Sequence, residues 1–297
     1  MDNVFSRCHP AVNFLYFVIV IAMSMCCMHP VCLAVSLAGS VAYLLCLRGR
    51  KGLLSQCKWL LPMSLLATLL NAAFSHRGMT VLYYLPSGNP LTLESILYGV
   101  AAAVMIAAVF LWFACYTDVM TSDKFIYLFG KLIPALSLVL SMTLRFVPRF
   151  RSQMKAVAQA QKAMGQQAKS LRQRFEAPLK VFSATVTWAL ENAIETADSM
   201  RSRGYGEKGR TAFSIYHWDD RDRALLCWLG FCGIYLLSGA VVGGLRFQYY
   251  PMVSGVAVSV WSVSFFVVYG LLCLTPVLLL LREELRWKKR KEVHLRG

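Results

Sequence analysis

Acid is scarce in this chain: 15 Asp and Glu stand against 31 Lys and Arg among 297 residues. The long apolar runs are barer still. Six of them, 11–27, 31–47, 59–74, 96–117, 224–244 and 253–281, hold no Asp, Glu, Lys or Arg at their centres. A carrier that moves ions or polar solutes unaided places ionisable groups or broken helices near mid-membrane, so these runs disfavour that function. The sequence also lacks any CxxC pair and any His/Cys ligand spacing. Eight of its ten cysteines (Cys26, Cys27, Cys32, Cys46, Cys115, Cys227, Cys232 and Cys273) lie in apolar stretches, where cysteine behaves as a small hydrophobe. No metal site or cofactor is expected. No nucleophile, base and orienter set is evident either, which leaves the chain without an evident route to covalent catalysis.

What is present is apolar surface and sorted charge. At 57% hydrophobic and 15% charged residues, with a mean hydropathy of +0.52, the composition is that of an integral membrane protein. A span needs about 20 apolar residues, so the expected fold is all-α and polytopic, with about six transmembrane helices. The third, short and beginning near Pro62, is the least secure. The first follows Arg7 without a small-residue cleavage site and runs into the second at Val31, as an uncleaved helix does. With both termini cytoplasmic, alternation of sides puts 29 of the 31 basic residues inside and leaves only Arg77 and Arg246 outside. The expectation is a multi-pass plasma-membrane protein whose +16 charge reflects topology and anionic lipid. Nucleic acid is not an expected partner.

Three regions follow: membrane helices over 1–117, a cytoplasmic helical block over 118–222, and membrane helices with a basic tail over 223–297. The island Asp118 to Arg223 carries 17 of the basic residues. It opens with a run from Pro134 that is expected to end near Pro148, either interfacial or membrane-spanning. Beyond it, Met154, Val157, Ala158, Gln161, Met164, Ala168, Leu171 and Phe175 recur at helical spacing opposite a cationic face. A second amphipathic helix is expected with Pro178 in its first turn and Phe182, Val186, Ala189, Ala193, Ala197 and Met200 as its stripe. Gly204 suits the left-handed position beyond a helix end, and Arg201 and Arg203 suit its last turn. Arg203 then projects at a charged tip, either to enter a groove on another protein or simply to complement the helix dipole.

Two patterns are decoys. The segment from Gly204 to Thr211 matches GxGxxG and nearly matches a phosphate loop, but those motifs require a preceding strand. Here a long helix precedes it, and Arg210 stands in place of the loop lysine. Glu191, Glu195 and Asp198 fall off the apolar stripe and read as a solvated face.

Leu144-Arg-Phe-Val-Pro148, Ala160-Gln-Lys-Ala-Met-Gly165 and Ala197-Asp-Ser-Met-Arg-Ser-Arg-Gly-Tyr205 resemble the transmembrane T component of energy-coupling factor (ECF) transporters. The resemblance extends to His9-Pro10, Asn71, Phe74, Leu91-Thr-Leu-Glu94 and the basic tail from Arg286 to Lys291. It implies a non-catalytic coupling subunit of an ATP-driven importer for a vitamin or metal ion. The implied partners are two ATPase subunits and a small membrane subunit that binds the substrate. Each of two cytoplasmic helices would end in a short Ala-Arg-Gly-like motif docked in an ATPase groove. The second motif falls on Ser202, Arg203 and Gly204, the first on Ala163, Met164 and Gly165. Met164 departs from the family's arginine, and a thioether fills an apolar groove without making charge-assisted hydrogen bonds. A self-sufficient carrier and an anionic-lipid-binding scaffold are the alternatives.

Overall fold

The computed structural model describes residues 4–75, 78–84, 90–130, 134–164, 171–205, 216–242, 247–255 and 260–296. Its helices, in chain order, are α1 (Pro10–Cys26), α2 (Pro30–Phe74), α3 (Leu93–Val119), α4 (Ser122–Gly130), α5 (Pro134–Ala163), α6 (Leu171–Ser202), α7 (Asp220–Val242) and α8 (Val260–Arg296). They form two compact units, Met1–Thr121 with Tyr216–Gly297, and Ser122–Ile215.

The first unit is the apolar one. α1 and α2 begin alike: His9 and His29 stand before Pro10 and Pro30, and each imidazole Nδ1 accepts the amide of the second helical residue, Ala11 at 3.2 Å and Val31 at 3.3 Å. Proline at the first helical position sacrifices an amide that has no intrahelical partner anyway. α2 breaks once, at Gly49 (φ 67, ψ −173), a conformation that costs glycine little. A side chain at Gly52 would collide with that of Arg48, so the turn Arg48-Gly-Arg-Lys-Gly52 needs both glycines.

Contacts with α3 show what the break does. In the limb 30–48, Ser36 accepts from the Trp112 indole at 3.1 Å and Arg48 pairs with Asp118. In the limb 50–74, Thr68 donates to the Gly99 carbonyl at 3.3 Å and Asn71 accepts from Ser95 at 3.4 Å. The limbs therefore run in opposite directions along α3, and the separate second and third spans expected from sequence form one hairpin. α2, α3, α7 and α8 are each long and apolar enough to cross a membrane, and α1 is a shorter apolar helix. Among the described residues, counting both limbs of α2 gives six apolar passages, with Pro62 inside the second limb rather than at its start.

One face collects the same helix ends. Phe5 packs on Tyr16 and Tyr43 at the end of the first α2 limb, Phe17 on Tyr116 near the end of α3, and His9 stacks on Trp218 (3.8 Å between rings) just before α7. Midway across, Ser24 of α1 hydrogen-bonds Ser36 of α2 (2.7 Å) and Tyr269 of α8 (2.9 Å), and the Tyr16 hydroxyl donates to the Cys273 carbonyl (3.1 Å). Buried hydroxyls thus tie α1, α2, α3 and α8 where no water competes. α7 closes on α8 at Gly239, whose missing side chain admits the Phe265 ring. At the opposite helix ends from Arg48 and Asp118, Tyr249 donates to the Met28 carbonyl (2.9 Å) and Tyr250 bonds Ser75 (2.9 Å), clasping the loops there.

In the second unit two expected boundaries move. α5 runs without interruption through Pro148, where a stop was expected. The ring removes one amide, and the carbonyl it frees, on Leu144, belongs to an exposed residue that water can serve. α6 starts at Leu171, so Leu171 and Phe175 belong to it and not to the preceding helix, and Pro178 lies inside rather than in the first turn. The stripe is borne out only in part. Ala189 and Met200 are half-buried with Val181, Thr185, Trp188, Asn192 and Thr196 on the inward side of α6, while Phe182, Val186, Ala193 and Ala197 are exposed. Thr185 and Thr196 tolerate that position because their hydroxyls donate to the carbonyls of Val181 (2.7 Å) and Asn192 (2.6 Å). Trp188 anchors the pair, meeting Phe150 of α5 edge-on at 5.8 Å, with the Arg149 guanidinium 5.4 Å from its ring.

Candidate functional site

The site expected from sequence consists of two helix tips, and α6 supplies the better-defined one. Its end is set by Gly204, which takes φ 73. The Tyr205 amide donates to the Met200 carbonyl and the Gly204 amide to the Arg201 carbonyl, both at 3.1 Å. That pair of bonds is the Schellman closure, which satisfies carbonyls a helix end otherwise leaves unpaired. Ser202 donates to the Ser199 carbonyl at 2.9 Å, so its hydroxyl folds back on the helix. Arg201 and Arg203 stay exposed beside Tyr205, which is itself 47% exposed. The arginines meet the negative end of the helix dipole and hold planar, multi-donor heads in solvent, available to carboxylates or carbonyls on a partner.

The first tip is apolar. α5 ends at Ala163, the Met164 amide donates to the Ala160 carbonyl at 3.1 Å, and the Met164 side chain is 70% exposed. Ala163 is exposed beside it. Gly165 lies outside the described residues, as do residues 206–211 of the glycine-rich decoy. What precedes that decoy is α6, a helix and not a strand.

The tips cannot share one docking point. α6 has 32 residues and spans roughly 47 Å at 1.5 Å per residue, whereas the chain between Met164 and Leu171 reaches at most about 25 Å when extended. Met164 and Gly204 are therefore at least ~20 Å apart. Between them α6 presents an outward apolar row that the sequence stripe only half captured: Leu179, Phe182, Val186, Leu190 and Ile194, from 39% to 65% exposed. The spacing of three and four was available in the sequence, but composition alone does not say which face is covered. Glu191, Glu195 and Asp198 are exposed. Among the described residues no group of His, Cys, Asp and Glu converges with metal-ligand geometry.

Buried charge in the first unit sits at helix ends. Glu94, the second residue of α3, accepts from the Thr80 hydroxyl at 2.6 Å and from its amide, and Asp222 is the third residue of α7. Both carboxylates lie in first turns, where the helix dipole favours them.

A family model described as CbiQ, cobalt transport protein, matches residues 1–213. Three similar proteins bear the name energy-coupling factor transporter transmembrane protein EcfT. That of Bacillus selenitireducens is 32% identical over 116 residues, covering 38% of this chain and 41% of its own. EcfT 1 of Listeria monocytogenes is 31% identical over 110 residues, 36% and 40% of the two chains. EcfT of Listeria innocua is 34% identical over 115 residues, 38% and 40%. The chain thus matches about two fifths of the length of these curated relatives.

Proposed function

The chain belongs to the CbiQ cobalt transport protein family, and from that premise we propose that it is the membrane-embedded coupling subunit of an ATP-driven importer of the energy-coupling factor type. It hydrolyses nothing itself; two ATP-binding subunits do so, and a small membrane subunit binds the vitamin or metal ion. Arg203, flanked by Ser202 and Gly204, enters the groove of one ATPase. Ala163, Met164 and Gly165 meet the other through apolar contact. Closure of the ATPases around nucleotide displaces the two tips, and the packed α5–α6 pair transmits that displacement as a lever does. Such coupling requires the helices to favour different positions in the two nucleotide states. Both termini and the 118–222 block face the cytoplasm, where basic residues are retained, and anionic headgroups border that face.

The observation that carries this reading is the pair of exposed, chemically distinct helix tips too far apart for one groove. The outward row from Leu179 to Ile194 supports a further membrane-associated partner, because five large apolar side chains on one helix face are otherwise left in water. Placement of Glu94 and Asp222 at helix ends, away from mid-span, weighs against a self-sufficient carrier. Affinity purification of the full chain from its own membrane in mild detergent tests the assignment. Recovery of two ATP-binding chains with one small hydrophobic protein supports it; a lone, homogeneous species that transports solute after reconstitution refutes it.

A further inference from the structure

α7 and α8 run antiparallel but do not close along their whole length. Near the start of α7 they leave a cleft of about 360 Å³ between Leu225 and Trp228 on one side and Leu271, Thr275 and Leu278 on the other, with Arg282 at its mouth. The walls are apolar, and what polarity they have is turned inward: the Trp228 indole donates to Thr275 Oγ1 at 3.4 Å, and Thr275 donates to the Leu271 carbonyl at 2.8 Å. Leu271 and Leu278 remain 41% and 45% exposed, so the cleft opens sideways toward the surrounding bilayer.

Its dimensions and charge match one kind of occupant. From Leu271 to Arg282 the helix rises about 16 Å, close to the ~15 Å hydrocarbon depth of a single leaflet. Arg282 directly follows the unbroken apolar run of α8 that ends at Leu281, which is the level of the headgroups. Among the described residues it makes no ion pair. Arg286 lies one turn further along, about 40° round the helix axis, and is exposed. The neighbouring acids point elsewhere: Glu284 is about 200° round from Arg282 and within electrostatic reach of Cys46 on α2, and Glu283 is about 100° round.

We propose that this cleft is a binding site for one anionic glycerophospholipid of the cytoplasmic leaflet, with an acyl chain between α7 and α8 and its phosphate on Arg282 and Arg286. The site rests on the membrane-spanning fold and not on the assignment of ATPase partners. Basic pockets between helices at that depth hold acidic headgroups by charge-assisted hydrogen bonds while the chain fills apolar space.

Native mass spectrometry of the detergent-purified full chain, titrated with phosphatidylglycerol and with phosphatidylcholine of the same acyl composition, tests this. The wild type should retain a single phosphatidylglycerol adduct in preference to phosphatidylcholine by about thirtyfold, the factor that two near-surface cations supply at about 1 kcal/mol each. Arg282→Ala should cut the preference about fivefold, Arg282→Lys should keep most of it, and Arg50→Ala, which removes an exposed charge from α2 outside the cleft, should leave it unchanged. Leu278→Trp, which fills the cleft, should weaken both adducts. Equal adducts in the wild type and Arg282→Ala, loss of preference in Arg50→Ala, or full retention in Leu278→Trp would each overturn the site. Arg282→Ala changes an exposed residue, so its outcome stands even where the cleft-filling variant does not fold.

Discussion

Arg48 and Asp118 meet in a two-pronged ion pair, Nε to Oδ2 at 2.6 Å and Nη2 to Oδ1 at 2.7 Å, across 70 residues of chain. It fastens the α2 turn to the end of α3, three residues before the chain passes into the second unit. With side chains 34% and 27% exposed the pair is half in water, which caps its value at about 1 kcal/mol. A double-mutant cycle with Arg48→Ala and Asp118→Ala, read by thermal unfolding in detergent, should give a coupling of about that size that shrinks in high salt. Arg48→Lys should lose most of it, because an ammonium cannot match the carboxylate with two parallel donors. A cycle with no coupling would remove the pair from the account of this face.

The buried hydroxyl network predicts a different response. Ser36→Ala removes the acceptor of the Trp112 indole and a partner of Ser24 at once. The indole N–H is then left unpaired in an apolar surround, so stability should fall by about 1–2 kcal/mol. Ser55→Ala, at an exposed position of α2, should change it by less than ~0.5 kcal/mol. Equal effects at the two serines would show that the network carries no special share of the stability.

His29 gives the fold a pH dependence at the N-terminus of α2. Its Nδ1 must be unprotonated to accept the Val31 amide, and burial holds its pKa below the ordinary 6.5. The unfolded chain therefore takes up that proton more readily than the folded one. This contribution to stability is complete above about pH 6.5 and is lost as pH falls from there through the lowered folded value. His29→Asn, which caps a helix without titrating in this range, should flatten that part of the curve of thermal stability against pH. An unchanged slope would place the acid sensitivity elsewhere.

Gly204 connects fold and candidate site most directly. Gly204→Ala forces a side chain into φ 73 and should cost about 1 kcal/mol at the end of α6. Gly204→Asn should cost less. Hydrogen exchange at Tyr205 and Gly204 would show the fraying, and retention of ATP-binding partners should fall in the same order. Partner retention that ignores both changes would separate this cap from docking.

Much of this was legible in the sequence, for identifiable reasons. The apolar runs could be seen because bilayer thickness fixes their length, and Gly204 could be placed because few residues other than glycine adopt a left-handed backbone easily. The Arg48–Asp118 pair was not legible, since nothing local links residues 70 apart. The two limbs of α2 were legible as separate runs flanking Arg48, Arg50 and Lys51, but not the tightness of the turn, because helix resumes directly after Gly49 and takes in residues up to Lys58 that read as a connecting segment. Pro148 and Pro178 misled because proline reads as a boundary, while an exposed helix can carry one and leave the freed carbonyl to water. Four of the six residues read as the packing stripe of α6 face outward, Ala189 and Met200 excepted, because Thr185 and Thr196 look polar until their hydroxyls are seen bonded to the preceding turn.

The central claim is that the α6 tip is held by a partner's ATP-binding subunit. It is tested by the amount of that subunit retained on affinity-purified Arg203→Ala relative to the wild type, at equal expression and helical content. The account predicts a loss of about tenfold, the effect of removing ~1.4 kcal/mol of charge-assisted contact, with transport falling in step. Equal retention and equal transport would contradict it.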